Sequence, residues 1–213
     1  MIVRLLIVLN IIGFLWEIRV AGPRAFSNLP NGTPVDAGLL VPYYVLHDHQ
    51  YYRIFSAAFL HGGIWHIGLN MLSLYWIGRF VELVLRPWRT LIVYVFAIIV
   101  SGLSVIYLSP PFAGTLGASG AIFGLFGAIF AIGLKLGERG RDLVRSSVPW
   151  LILNLVWSFS SGISWQAHIG GLIAGFVLTY VIFYPPRPVM TRVYDPSTGA
   201  QYESSVEMPD DRT

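Results

Sequence analysis

The chain has 213 residues, of which 55% are hydrophobic and only 12% carry a charge. Because an average soluble domain has about 25% charged residues, this composition excludes an ordinary water-soluble globule. The formal charge of +3 is too small to indicate nucleic-acid binding, and the absence of cysteine excludes disulfides and thiolate metal sites. We therefore predict a polytopic helical protein embedded in a lipid bilayer.

Apolar runs close to the length that crosses a bilayer recur along most of the chain. The first run contains Arg4 and Glu17 and has no convincing small-residue cleavage site, so we interpret it as a retained span, not a signal peptide. The prediction is an all-α domain over 1–184 with six spans: Ile2 to Val20, Ile64 to Leu85, Thr90 to Leu108, Leu116 to Leu134, Ser147 to Ser161 and Trp165 to Tyr184.

The distribution of basic residues predicts the orientation of these spans. The segments that follow spans two, four and six are basic, whereas the loops 109–115 and 162–164 carry no Lys or Arg. By the positive-inside rule both termini are then cytoplasmic, as an even number of spans requires. The basic residues concerned are Arg86, Arg89, Lys135, Arg139, Arg141, Arg145, Arg187 and Arg192.

Two segments differ from the spans. The outer loop 21–63 is longer than a simple connection needs, and its second half is rich in tyrosine, so we expect it to lie on or dip into the outer leaflet. The tail 185–213 has prolines near its start, acidic residues at its end and few large apolar groups. It is predicted to be a disordered cytoplasmic extension.

Three polar side chains are predicted to share one depth near the outer surface. Spans two, four and six run in the same direction, and His66, Ser119 and His168 each lie a few residues into one of them. Ionisable residues within spans are rare and usually functional. We interpret Ser119 as a nucleophile and His168 as its base, within hydrogen-bond reach of each other.

Small residues support a close approach of spans four and six. Gly120 and Gly124 have the small-xxx-small spacing, and Gly171 and Gly175 repeat it on span six. Such glycines also occur as plain packing motifs in membrane helices, and that alternative stays open for them.

A second polar pair lies on span two, where His66 and Asn70 are four residues apart and share one helix face. Both can donate hydrogen bonds to the oxyanion of a tetrahedral intermediate, or can act as polar contacts between helices. His61 falls on another side and is interpreted as an interfacial residue.

No carboxylate is placed beside His168 by the predicted topology, so the chemistry would run as a Ser-His dyad. The cluster His47-Asp48-His49 could suggest a metal ion, but no supporting ligand pattern accompanies it. We predict a solvated turn there and no metal site.

Taken together, three motifs resemble those of the rhomboid intramembrane serine proteases: Gly117-x-Ser119, His168 before a glycine-rich span, and His66-x-x-x-Asn70. The resemblance implies a six-helix rhomboid-like bundle with Ser119 as nucleophile and His168 as general base. It implies His66, Asn70 and the backbone N–H of Ser119 as oxyanion donors, and no cofactor.

The resemblance also extends to residues outside the catalytic motifs. Gly78-x-x-x-Glu82 is similar to the family's structural glycine-glutamate motif. Tyr52-Arg53 stands where the family commonly has a tryptophan-arginine pair, and Arg53 is expected to keep a scaffold role in the outer loop.

The implied activity is cleavage of transmembrane segments of other membrane proteins near their outer end, in a bacterial plasma membrane. Two alternatives remain. A catalytically inactive rhomboid-like protein would bind membrane clients without needing Ser119 or His168. A small transporter would more naturally show internal symmetry and charges at mid-membrane, and the sequence has neither.

Overall fold

The computed structural model describes residues 1–26, 34–159, 163–185, 188–194 and 201–207. Within them the protein is a bundle of helices followed by one antiparallel hairpin. The elements are α1 (Ile2–Ala21), α2 (Pro42–Leu46), α3 (Arg53–Ser56), α4 (Ile64–Ser73), α5 (Arg79–Leu108), α6 (Ser119–Leu136), α7 (Arg141–Ser158), α8 (Trp165–Ile182), β1 (Pro188–Tyr194) and β2 (Gln201–Glu207).

In the described part of the chain, four helical stretches are long and apolar enough to cross a membrane. Two of them are 45 and 40 residues long, about twice what a hydrocarbon core of about 30 Å requires. Each contains a break. In α5, Arg86 has φ 72° and ψ 158° and precedes Pro87, and between α6 and α7 Gly137 has φ 59°. Both breaks fall close to ends of predicted spans.

Helix α6 is the centre of the bundle. Most of its side chains are buried, and it packs against α8 along its length, against α5, and against α7. At Gly171 and Gly175 an added Cβ would collide with the carbonyl oxygens of Gly120 and Gly124. Only glycine therefore permits the backbone separation of α6 and α8.

The cytoplasm-facing ends that the sequence predicts for α6 and α8 also meet. The Lys135 ammonium, on the last turn of α6, donates a hydrogen bond of 2.7 Å to the Phe183 carbonyl oxygen, just after α8. It also lies 4.9 Å from the ring centres of Tyr180 and Tyr184. This contact fixes α6 and α8 as parallel neighbours, so their N-terminal residues lie at the opposite end.

The glycine-glutamate pair Gly78 and Glu82 joins α1 to the rest of the bundle. Glu82 is buried, and its Oε1 accepts a hydrogen bond of 2.6 Å from the backbone N–H of Ile2. A carboxylate at the first turn of α1 also interacts favourably with the helix dipole. A Cβ at Gly78 would crowd the side chain of Val3, so the glycine allows α1 to pack closely against this helix.

Arg53 is the centre of the folded outer loop. Its Nη1 donates hydrogen bonds to the carbonyl oxygens of Asp36 at 2.8 Å and Leu39 at 2.7 Å. The guanidinium lies 4.9 Å from the ring centre of Tyr44 and 5.6 Å from that of Tyr52. A tyrosine thus supplies the aromatic contact at the position where the resemblance leads one to expect tryptophan.

Two segments differ from the sequence-based expectations. Helix α7 begins at Arg141, six residues before the predicted fifth span, and continues through Pro149. Proline within a helix is tolerated in membrane-spanning helices, where neighbouring groups satisfy the freed backbone carbonyl. In the tail, strands β1 and β2 pair antiparallel from Pro188 with Glu207 to Tyr194 with Gln201. The tail 185–213 was predicted to be disordered, whereas the structure describes this hairpin in part of it.

The contact between α6 and α8 gives a test of the fold. Gly175→Ala is expected to lower the free energy of unfolding by about 1 to 3 kcal/mol, because the new methyl group meets the backbone of Gly124. Gly68→Ala on α4 is the matched control, since nothing lies within 4 Å of an added Cβ there. Thermal unfolding in detergent micelles measures the stability of both variants. Equal stability of Gly175→Ala and Gly68→Ala would contradict the close backbone contact of α6 and α8.

Candidate active site

The structure brings Ser119 and His168 together. Ser119 is the first residue of α6, and His168 lies in the first turn of the parallel helix α8. Ser119 Oγ and His168 Nε2 are 2.8 Å apart, a hydrogen-bond distance. The imidazole stacks on the ring of Phe123, with centroids 4.3 Å apart and an interplanar angle of 11°. Its plane is therefore set by an aromatic side chain of α6.

The second nitrogen of His168 also has a partner. Nδ1 lies 2.5 Å from Oγ of Ser158, at the end of α7, and the same hydroxyl donates a hydrogen bond of 2.6 Å to the carbonyl oxygen of Asn154. In the described residues no carboxylate hydrogen-bonds His168. A serine stands where a serine protease triad has its acid.

His66 faces Ser119 across the site. Its Nδ1 accepts a hydrogen bond of 3.1 Å from the backbone N–H of Gly62, so in the neutral ring the proton is on Nε2. Nε2 is close to Gly117, where an added Cβ would lie 2.8 Å from it. Gly117 has φ 116°, which favours glycine, and it thereby leaves room for the imidazole beside the nucleophile.

Asn70 is buried one turn below His66. Its Nδ2 donates a hydrogen bond of 2.9 Å to the carbonyl oxygen of His66. A carboxamide has two N–H donors, so one remains available to a bound group. Asn70, His66 and Ser119 line the same cavity.

That cavity has a volume of about 610 Å³ and lies between α4 and α7. Its lining includes Trp65 and Leu69 of α4 and Trp157 of α7, and all three are largely exposed on the side of the bundle. Packing between α4 and α7 is slight. An extended peptide segment could therefore reach Ser119 from the side of the bundle, where lipid would lie.

The start of α6 supplies a further polar group. As the first residue of the helix, Ser119 has a backbone N–H that no carbonyl of the helix can pair. The helix dipole also favours negative charge at this end. The loop before it is held by the Gly117 N–H, which donates to the Ala57 carbonyl oxygen at 2.9 Å.

His61 is not the interfacial residue that the sequence suggested. It is 1% exposed, and its ring is 5.3 Å from that of His66 because the segment before α4 folds inward. Its backbone N–H donates a hydrogen bond of 2.9 Å to Glu17 Oε1 of α1, which is also buried. Burial, with a smaller effect of His66, lowers the pKa of His61 to about 3, so the ring is neutral at pH 7.

Other candidates lie apart from this site. Glu82 and Gly78 contact the start of α1, and Arg53 organises the outer loop. His47 stacks on Tyr43, with ring centres 4.6 Å apart. Among the residues that the structure describes, no group of three or more His, Cys, Asp or Glu could hold a metal ion.

Sequence reasoning missed Phe123, Ser158, His61 and Glu17 as parts of the site. Phe123 carried a usable signal, because it lies four residues after Ser119 and therefore on the same face of α6. The other three reach the site through tertiary packing: Glu17 contacts His61 from 44 positions away, Ser158 is ten residues before His168, and His61 is brought to His66 by the inward fold of the segment before α4. No spacing rule connects α1 or α7 to His66 and His168.

Comparison with known proteins identifies the same family that the sequence motifs resemble. A family model described as the Rhomboid domain matches residues 48–185. Rhomboid protease GlpG of Klebsiella pneumoniae is 29% identical over 174 residues, which cover 79% of this chain and 62% of GlpG. Rhomboid protease GluP of Bacillus subtilis is 34% identical over 64% of this chain and 27% of GluP. RHOMBOID-like protein 2 of Arabidopsis thaliana is 34% identical over 67% of this chain and 46% of that protein.

The link from Glu17 to His61 can be tested by two substitutions at one position. Glu17→Leu should lower the free energy of unfolding by about 1 to 3 kcal/mol, because the buried N–H of His61 loses its acceptor. Glu17→Gln keeps an acceptor oxygen and should retain most of the stability. Unfolding in mixed micelles of mild detergent and dodecyl sulfate measures the difference, and a Leu variant as stable as wild type would disprove the link.

Proposed function

Because the chain belongs to the rhomboid family, we propose that it is an intramembrane serine endopeptidase that cleaves transmembrane segments of other membrane proteins near their outer end. The observation that carries the proposal is the 2.8 Å contact between Ser119 Oγ and His168 Nε2 at the base of an open cavity. The chain covers 62% of the length of GlpG and less of GluP, so the activity proposed is that of the shared helical domain.

Ser119 acts as the nucleophile and His168 as the general base. Oγ attacks the carbonyl carbon of the substrate while its proton passes to Nε2, and the carbonyl electrons move onto oxygen. When the tetrahedral intermediate collapses, Nε2–H gives the proton to the leaving amine. Water then attacks the acyl group on Ser119, with the same nitrogen as base.

Three groups donate hydrogen bonds to the oxyanion. They are the backbone N–H of Ser119, Nε2–H of His66 and the free amide N–H of Asn70. The orientation of His66 supports its role, because Gly62 occupies Nδ1 and leaves the proton on the nitrogen that faces the site. These donors are fixed before substrate binds, which is what makes such stabilisation effective. The chemistry uses only side chains, backbone and water, with no metal or cofactor.

The chain crosses the membrane six times, with turns at the breaks near Arg86 and Gly137. This assignment is supported by the length of the two longest helical stretches and by the basic residues near both breaks. With both termini cytoplasmic, as in a bacterial plasma membrane, the first turns of α6 and α8 lie towards the outer side. Ser119 and His168 are then near the outer surface, where water can reach them.

The substrates are transmembrane segments that unwind readily. A peptide carbonyl in a helix already accepts a hydrogen bond and is hidden by the turn around it, so local unwinding must precede attack by Ser119. Small or helix-weakening residues near the scissile bond should lower that cost. The cavity of about 610 Å³ between α4 and α7 is the place proposed for the unwound segment.

Serine-reactive labelling tests the proposal. A fluorophosphonate is expected to label the purified wild-type protein and not the Ser119→Ala variant. His168→Ala should label about a hundredfold more slowly than wild type, because the base is absent. In-gel fluorescence and mass spectrometry of the adduct measure this. Labelling that survives Ser119→Ala would overturn the site assignment, and an unlabelled wild type would favour the inactive client-binding alternative.

The oxyanion assignment predicts a kinetic effect at His66. His66→Ala should lower kcat for a transmembrane peptide about a hundredfold, on the order of 3 kcal/mol, with a smaller change in KM. His47→Ala in the outer loop, whose ring stacks on Tyr43, is the matched control and should keep its activity. Fluorogenic peptide cleavage in proteoliposomes gives both constants. An unchanged kcat in His66→Ala would remove His66 from the mechanism.

A further inference from the structure

We propose that Ser158 is a positioning residue that holds His168 in the tautomer and orientation needed to accept the proton of Ser119. The proposal rests on the protease function above. It assigns a role to α7, a helix that supplies none of the proposed catalytic groups. Ser158 does not touch the substrate, and it acts only through the imidazole.

Only one placement of the hydrogens makes both short contacts of the Ser158 hydroxyl hydrogen bonds, because the Asn154 carbonyl oxygen can only accept. The Ser158 hydroxyl has one hydrogen, and it donates that hydrogen to the Asn154 carbonyl oxygen at 2.6 Å. Towards His168 Nδ1, 2.5 Å away, Ser158 Oγ is therefore the acceptor. Nδ1 carries the proton of the neutral ring, and Nε2 presents its lone pair to the Ser119 hydroxyl at 2.8 Å.

This tautomer is the only neutral one that can act as a base towards Ser119. With the proton on Nε2, the ring would donate to Ser119 Oγ and could not remove its hydrogen. A serine protease whose triad aspartate is replaced by asparagine loses activity for this reason. After proton transfer, Nδ1–H still donates to Ser158, so the imidazolium keeps its position through the reaction.

The burial of Ser158 also points to a specific role. It is the buried residue of α7, 1% exposed, whereas most side chains of this helix face outwards. Burying a hydroxyl is unfavourable unless it is hydrogen-bonded, and here both of its bonds are made. The end of α7 also carries the negative pole of its helix dipole, which favours a positive imidazolium beside it.

Ser147 shows what a serine of α7 does without this contact. Its hydroxyl donates to the Leu143 carbonyl oxygen at 2.8 Å, the same bond to the preceding turn that Ser158 makes to Asn154. If Ser158 served only to close the last turn of α7, removing either hydroxyl should have a similar effect. Ser147→Ala is therefore a matched control for the structural part of the role.

The experiment compares Ser158→Ala, Ser158→Thr and Ser147→Ala with wild type. Ser158→Ala is expected to lower kcat and the rate of fluorophosphonate labelling about tenfold with little change in KM, because the loss falls on the base. Ser158→Thr keeps the hydroxyl and should restore most of the rate, and Ser147→Ala should match wild type. In ¹⁵N-histidine spectra, the Nδ1–H signal of His168 should weaken in Ser158→Ala only.

The outcomes are separable from those of the proposed function. A wild type that neither labels nor cleaves overturns the protease assignment and this inference with it. If wild type is active, a Ser158→Ala protein with wild-type kcat and an unchanged histidine spectrum overturns only the positioning role. The positioning role is also overturned if Ser147→Ala shows the same loss of rate, or if Ser158→Thr does not restore the rate.

Discussion

The close contact of α6 and α8 is the constraint on which the rest of the structure depends. The backbones meet where Gly171 and Gly175 face the carbonyl oxygens of Gly120 and Gly124, and no larger residue fits there. The two helices are parallel, so this contact also brings their first turns together. The Ser119 hydroxyl on α6 and the His168 imidazole on α8 are then within hydrogen-bond distance of each other.

Much of this arrangement follows from the sequence. The basic residues predicted that α6 and α8 run in the same direction. The positions of Ser119 and His168 within their spans predicted a shared depth, and the glycine spacing predicted a close approach of the two helices. Local rules also placed His66 and Asn70 on one face, and the structure has them lining one cavity with Ser119. The family resemblance, and the match to the Rhomboid domain over residues 48–185, agree with that reasoning.

Contacts between distant segments could not be derived in the same way. Glu17 reaches the N–H of His61 across 44 positions, and Ser158 reaches His168 from a helix whose start was itself misplaced. Each depends on rotation of a helix about its axis, which hydropathy and charge do not determine. The hairpin of β1 and β2 was not predicted, because the composition of the tail indicated disorder.

We propose that the Ser119 hydroxyl, activated by His168, cuts peptide bonds within a membrane. The most direct measurement reconstitutes purified wild type and Ser119→Ala into liposomes with a dye-labelled single-span protein and follows the cut fragments by mass spectrometry. Wild type is expected to cleave near the outer end of the span, and the variant is expected not to cleave. Equal cleavage by both proteins, or none by either across a panel of readily unwound spans, would contradict the proposal.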